Sequence, residues 1–251
     1  VSLAGRSAWI TGAGSGIGRA IAIAFAQAGA RVALTGRREA PLRETAALIG
    51  GGEVIAADLT DAAAVTQAAA RVAGTIGGPD ILVNNAGVNT PRRYTHQLDA
   101  ATIRALVDGN LTAPFLTSTA VLPAMRARGG GLLIQVASMA GKNVSFLSGP
   151  GYTAAKHGFV ALSQAINQEN GIHGIRSSCI CPGEVATDIL KNRPEPVPPE
   201  ELARMLQAED IARIALFLAT TPAHVAITEV LVQPAWMRLL APQARRISEL
   251  P

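Results

Sequence analysis

The chain is poor in aromatic and charged residues. Phe, Trp and Tyr make up 4% of its 251 residues and Asp, Glu, Lys and Arg 16%, with two cysteines and two tyrosines in all. Each shortage excludes something. No apolar run free of charge reaches the roughly 18 residues of a membrane-crossing helix, so no membrane partner is expected. Cys179 and Cys181 have no second pair to complete a zinc site, and strand geometry would point both to one face. Two reduced packing thiols in a cytoplasmic protein are the expectation. The opening "VSLAGRSAWITG" does not have the layout of a secretory leader. His96, His157, His173 and His224 have no partners at metal-ligand spacing, and no metal is expected. The formal charge is +4, but the basic residues are scattered, densest at Arg37–Arg38, Arg92–Arg93 and Arg245–Arg246. No aromatic residues interleave with them as a stacking platform, which argues against a nucleic-acid partner.

What is present is small and apolar. Hydrophobic residues reach 49%, enough for one sizeable core. Short apolar runs at 7–11, 31–35, 53–58, 80–87, 131–138, 175–183 and 226–234 read as strands. Helical stretches alternate with them at 17–29, 39–49, 61–76, 98–128 (interrupted near Gly109 and Pro114), 152–170 and 210–220. Asp61 and Asp210 are the expected N-caps. Continuous apolar strands alternating with helices predict an α/β fold, a parallel sheet covered on both faces. No linker divides the chain, so 1–251 reads as one domain. The Pro-rich, charged stretch 191–201 suggests a lid over 188–206, and the polar tail 241–251 is expected to fray.

Between the first strand and first helix lies "ITGAGSGIGRA". Gly12, Gly16 and Gly18 would let the backbone turn sharply and approach a pyrophosphate at the helix N-terminus. At the end of the second strand, Thr35-Gly36-Arg37-Arg38 offers no carboxylate before Glu39. A carboxylate there would grip a ribose 2′-hydroxyl; its absence, with Arg37 or Arg38 to pair with a 2′-phosphate, favours NADP over NAD. Asp58 is a candidate partner for an adenine amino group, or a turn cap.

"GPGYTAAKHG" places Tyr152 four residues before Lys156, on one helix face. With "TGAGSGIG", "NNAG" (84–87), Ser138, Asn110 in "DGNLTAPF" and "PGEVAT" (182–187), this order resembles the classical short-chain dehydrogenase/reductase family over about residues 1–235. The resemblance implies a single Rossmann-like doubly wound domain with a seven-stranded parallel sheet. It implies hydride exchange between a nicotinamide and a carbonyl or secondary-alcohol carbon, and a homo-oligomer, tetramer or dimer. Asn110, Ser138, Tyr152 and Lys156 would form the catalytic tetrad. Cofactor contacts would come from Gly12, Ser15, Gly16, Ile17, Gly18, Asp58, Leu59, Asn85, Ala86, Gly87, Tyr152, Lys156, Pro182, Gly183, Val185 and Thr187, with Arg37 and Arg38. Two departures stand out. The Ser138–Tyr152 interval is one residue longer than the family's usual one, which makes Ser145 and Ser148 rivals for the serine role. "VQPAWMRLLAP" stands where many members have a Gly-rich end.

The chemistry needs these residue types. A free tyrosine has a pKa of about 10, so it is already a proton donor in reduction, whereas oxidation needs it easier to ionise. Lowering that pKa by about three units takes roughly 4 kcal/mol of differential stabilisation, which a close ammonium and a cationic nicotinamide ring would supply. Ser138 would hold the substrate oxygen, and Asn110 a water leading from Lys156 to solvent. Val144, Phe146, Leu147, Val185, Ile189, Leu190 and Met205 are candidate walls for an uncharged, fairly hydrophobic substrate. The alternative function is a non-catalytic NAD(P)-sensing protein.

Overall fold

The computed structural model describes residues 2–238 and 240–248. Seven strands, β1 (Ser7–Thr11), β2 (Arg31–Gly36), β3 (Glu53–Ala56), β4 (Ile81–Asn84), β5 (Gly131–Val136), β6 (Ile175–Pro182) and β7 (Glu229–Val232), form one sheet in the order β3-β2-β1-β4-β5-β6-β7. Every neighbouring pair is parallel. The connections are the helices α1 (Gly16–Gln27), α2 (Glu39–Leu48), α3 (Ala62–Ile76), α4 (Ala100–Val107), α5 (Ala113–Arg128), α6 (Pro150–Asn170), α7 (Pro199–Leu202) and α8 (Ala208–Thr220). A last helix, α9 (Ala241–Ser248), follows β7.

The period-two alternation of the strands sorts the apolar side chains into two cores. Ala8, Ile10, Leu34 and Val83 join Ile21 and Phe25 of α1 and Ile211, Ala215 and Leu218 of α8. Trp9, Ala33, Leu82 and Leu133 join Val72 of α3, Met125 of α5 and Phe159 and Ile166 of α6. Both strand faces are therefore dry, which is why the strands read as unbroken apolar runs. Polar atoms inside are paired: the Trp9 indole donates to Thr35 Oγ1 at 2.8 Å, and Asn84 donates to Ser118 and Gln135, both at 3.0 Å.

Strand order reverses between the neighbouring strands β1 and β4, so the connections after them leave in opposite directions along the sheet. A doubly wound sheet presents its crevice there. Four segments meet at that edge: the glycine turn after β1, Asn85–Gly87 after β4, Ala137–Ser138 after β5 and Gly183–Thr187 after β6.

Several boundaries differ from the sequence expectation. The helical stretch 98–128 is two helices joined by a π-helical turn, Asp108–Thr112. Asp61 caps α3 as expected, accepting from the Ala63 N–H at 2.8 Å. Asp210 lies inside α8 and reaches back to the Gln207 N–H at 2.8 Å, so Gln207 is the cap. Residues 241–248 of the expected loose tail are helical, while 249–251 lie outside the described residues. No helix among the described residues is long and apolar enough to cross a membrane.

Candidate active site

The glycine turn is held open by its neighbours. Gly12 and Gly16 have φ of +64° and +51°, the left-handed region that favours glycine. A Cβ on Gly18 would lie 2.2 Å from the Gly12 carbonyl oxygen, so this position admits no side chain. Asn85 donates through Nδ2 to the Thr11 carbonyl at 3.1 Å, and its own N–H reaches Thr11 Oγ1 at 3.0 Å. Arg19, which sequence reading passed over, braces the turn from behind. It donates to the Gly14 carbonyl at 2.5 Å, Thr45 Oγ1 at 3.0 Å and Glu44 at 2.9 Å. Ser15 stands at the N-cap of α1 but makes no side-chain cap bond. The first N–H groups of the helix therefore face the crevice without a side-chain acceptor, which suits an anionic pyrophosphate.

The four proposed catalytic residues converge beside this turn. Asn110 lies in the π turn and is fully buried. Its Oδ1 accepts from the Val88 N–H at 3.1 Å, and its Nδ2 donates to the Val88 and Leu106 carbonyls, both at 2.8 Å. The side chain thus fastens the chain after β4 to the π turn. Gly87 makes room for this: a Cβ there would sit 2.9 Å from Asn110 Oδ1 and 3.7 Å from Lys156 Nζ. Ser138 follows β5 and accepts from the Ala140 N–H at 3.1 Å. Tyr152 opens α6 just after Gly149, whose φ of +77° and contact with Arg93 leave no place for a Cβ. Lys156, one turn on, donates to the Val136 carbonyl at 3.1 Å, and its Nζ is 5.6 Å from the Tyr152 ring centroid. Of the rival serines, Ser145 turns its hydroxyl to the Leu147 N–H; Ser138 is the serine near enough to the Tyr152 phenol to lower its pKa.

Both members of the tyrosine–lysine pair are shifted in the chain by itself. Burial pushes the Tyr152 phenol up to about 12, against Ser138 and the Arg93 charge, which both pull it down. Burial likewise pulls Lys156 down to about 8. For both groups desolvation is the largest cause of the shift. Behind Lys156 lie the two cysteines, buried, on one face of β6 as expected, with their sulfurs 3.8 Å apart. Their mutual hydrogen bond, then burial, keeps the Cys179 thiol protonated.

A cavity of about 510 Å³ joins the glycine turn to Tyr152 and continues beneath 184–193. It is lined by Gly12, Ser15, Gly16, Ile17, Asn85, Ala86, Gly87, Ser138, Tyr152, Lys156, Pro182, Gly183, Val185 and Thr187 among the expected residues. Gly18 is packed inside the turn, and Arg37, Arg38, Asp58 and Leu59 lie outside this lining. Arg37 and Arg38 are exposed; Leu59 is buried in the core. Asp58 caps its own turn, accepting from the Thr60 N–H at 3.0 Å and hydroxyl at 2.8 Å. At the substrate end, Leu147, Ile189 and Leu190 line the cavity as expected, with Met237 and Leu240 in addition. Val144 and Phe146 face solvent at 86% and 91% exposure, and Met205 is buried outside the lining.

The residue that sequence reading missed is Arg93. It is buried, and its guanidinium donates to the carbonyls of Thr90 at 2.8 Å, Leu147 at 2.7 Å and Asn192. These carbonyls belong to the loops after β4, after β5 and after β6, so one side chain ties the three walls of the cavity together. No motif signals this, because all three partners are backbone atoms.

A parallel sheet with a glycine turn at its switch point and a half-buried tyrosine one helical turn from a buried lysine beside it defines a Rossmann-type, dinucleotide-dependent oxidoreductase. The chain belongs to the short-chain dehydrogenase family, whose model matches residues 6–197. An uncharacterized short-chain type dehydrogenase/reductase of Sinorhizobium fredii is 36% identical over 236 residues, 87% of this chain and 91% of that one. A metagenomic short-chain oxidoreductase in complex with NADP is 37% identical, with a TM-score of 0.80 over 94% of this chain and 100% of that one. The 3-ketoacyl-(acyl-carrier-protein) reductase of Brucella melitensis, complexed with NADH, is 27% identical, with a TM-score of 0.85 over 93% and 99%. Membership makes this an oxidoreductase acting on CH–OH or C=O groups with a nicotinamide cofactor.

Proposed function

We propose that the chain is an NADP(H)-dependent oxidoreductase that moves a hydride between the nicotinamide and a carbonyl or secondary-alcohol carbon. The observation that carries this reading is the Tyr152 phenol, which shares the wall of the cavity with Ser138 and lies one helical turn from buried Lys156.

The residues fit a dinucleotide. The uncapped N-terminus of α1 and the side-chain-free turn at Gly12 and Gly16 would hold the pyrophosphate. Asn85–Gly87 and Lys156 would border the ribose, Gly183–Thr187 the nicotinamide end, and Arg37 or Arg38 the 2′-phosphate. When bound, the cofactor supplies or accepts the hydride. Ser138 positions the substrate oxygen against the phenol and stabilises charge developing there. Tyr152 gives its proton to that oxygen in reduction; its raised pKa keeps it fully protonated for this direction. In oxidation it must release that proton while Lys156 is charged, so the cation–phenol attraction has to overcome the desolvation just described. Asn110 fixes the backbone at Val88 and so the wall opposite Lys156.

The test is a steady-state assay of the purified protein with NADPH and a panel of ketones, and with NADP⁺ and the matching alcohols. Turnover is expected, with Tyr152→Phe losing about 10²–10⁴-fold in kcat while still binding cofactor. Tight cofactor binding with no turnover on any panel would favour a sensing protein instead. A cytoplasmic homo-oligomer belongs to the same reading and rests on family resemblance.

A further inference from the structure

The substrate end of the cavity carries more positive than negative charge, and it is buried. Arg93, Arg193, Glu184 and Arg238 all line it. Arg193 Nη1 donates to Glu184 Oε1 at 2.5 Å, and Arg238 Nη2 shares the same oxygen at 3.3 Å. Arg238 Nε lies 3.5 Å from Glu201. Arg93 has carbonyl partners only. Asp188, also on the wall, is paired with Lys191 at 2.6 Å. Three guanidiniums therefore face two carboxylates. The Arg93 and Arg193 guanidiniums are close enough to repel, and that repulsion adds to burial in lowering the Arg93 pKa.

One of these side chains is incompletely used. Arg193 is only 9% exposed, yet among the described residues its single hydrogen bond is the one through Nη1. Among the described residues neither Nε nor Nη2 has a hydrogen-bond partner, and Arg193 stands on the cavity wall. This leaves the side edge of the fork, two parallel N–H groups, which matches the spacing of two carboxylate oxygens. A buried, excess positive charge with an open bidentate edge is costly unless an anion meets it.

We propose that the substrate carries a carboxylate, which docks on the Nε/Nη2 edge of Arg193 under the 188–206 segment while its carbonyl or alcohol carbon lies at Ser138 and Tyr152. This rests on the proposed oxidoreductase reading, and it replaces the uncharged substrate that the apolar residues of the sequence suggested. Glu184 keeps Arg238 as a partner when Arg193 is removed, so Arg193→Leu strands no carboxylate.

The experiment uses matched pairs of ketones that differ only in charge: levulinate and methyl levulinate, benzoylformate and methyl benzoylformate, with NADPH at constant ionic strength. For at least one pair, kcat/KM should favour the acid by about tenfold or more, the scale of a charged bidentate contact. In Arg193→Leu the acid-to-ester ratio should collapse towards one, and Arg193→Lys should restore part of it. A wild-type ratio at or below one in every pair overturns the proposal. So does an unchanged ratio in Arg193→Leu, which would leave the residue a fastening of the loop. Should no ketone be turned over at all, the oxidoreductase reading fails, and calorimetric titration of the NADPH-bound protein with levulinate and benzoylformate decides separately. Binding that Arg193→Leu abolishes supports the carboxylate site; no binding rejects it.

Discussion

The Lys156 ammonium lies 5.6 Å from the centroid of the Tyr152 ring and gives its hydrogen bond to the Val136 carbonyl rather than to the phenol. The ammonium is therefore spent on the backbone, and both side chains border the cavity. Both members bear a desolvation cost that appears in the pH dependence of folding.

For Lys156 the folded pKa of about 8 lies below its ordinary 10.5. Below pH 8 both folded and unfolded chains carry the charge, and the folded state bears the full burial penalty. Between 8 and 10.5 the unfolded chain binds more protons, so this group makes stability rise with pH across that window. Tyr152 acts oppositely. Its folded pKa of about 12 exceeds the ordinary 10.0, so stability falls as pH rises from 10 to 12. Lys156→Met should thus stabilise the protein below pH 8 by up to about 3 kcal/mol, a gain that shrinks to nothing by pH 10.5, while abolishing turnover. Urea unfolding of both proteins across this range measures it; a difference independent of pH would reject a lysine buried at such cost.

Arg93→Met should loosen the cavity without opening the core. Three backbone carbonyls lose their donor, so a destabilisation of about 1–3 kcal/mol is expected. The larger effect should be on substrate KM, with cofactor affinity little changed, because Thr90, Leu147 and Asn192 border the substrate end. Arg93→Lys should not restore it, since one ammonium cannot span three carbonyls fixed by a planar fork. The pH profile of the oxidising direction should also move upward, because Arg93 is a cation that lowers the Tyr152 pKa. Equal losses of cofactor and substrate binding, with no shift of the profile, would reduce Arg93 to a general stabiliser.

Arg37→Asp tests the cofactor reading. The carboxylate would repel a 2′-phosphate and accept a hydrogen bond from a ribose hydroxyl. The ratio of kcat/KM for NADPH to that for NADH is expected to fall by about tenfold or more. No movement in that ratio would mean that the exposed arginine pair after β2 does not read the phosphate.

The sheet was legible because the central strands, buried on both faces, read as unbroken apolar runs, and the proximity of Tyr152 to Lys156 because four residues on a helix is a local spacing. Three things were not. Arg93 owes its position to loops brought together by the fold, with backbone carbonyls as partners, and Arg193 pairs with Glu184 nine residues earlier at no helix or strand spacing, so no local pattern marks either. Val144 and Phe146 look like wall residues on composition alone, yet the longer loop before α6 turns them to solvent. Desolvation of Tyr152 and Lys156 depends on how the fold packs around them, which the spacing of a phenol and an ammonium does not show.

The glycines give a contrast that separates site from scaffold. A methyl on Gly87 would sit 2.9 Å from Asn110 Oδ1, and that oxygen is already committed to the Val88 N–H. Neither the buried asparagine nor the π turn has room to retreat. Gly87→Ala should cost about 1–3 kcal/mol of stability, as overpacking does, and should lower kcat by forcing Asn110 away from the chain after β4, beside Lys156, whose Nζ would be in ordinary contact at 3.7 Å from the new carbon. Gly74 lies within α3 with nothing near a prospective Cβ. Gly74→Ala should raise stability by about 0.5–1 kcal/mol through helix propensity and leave kinetics alone. Thermal unfolding and steady-state rates of the two variants, taken together, check the packing around Lys156: if both alanines behave alike, the approach of Asn110 and Lys156 to the chain after β4 is not the constraint it is taken to be.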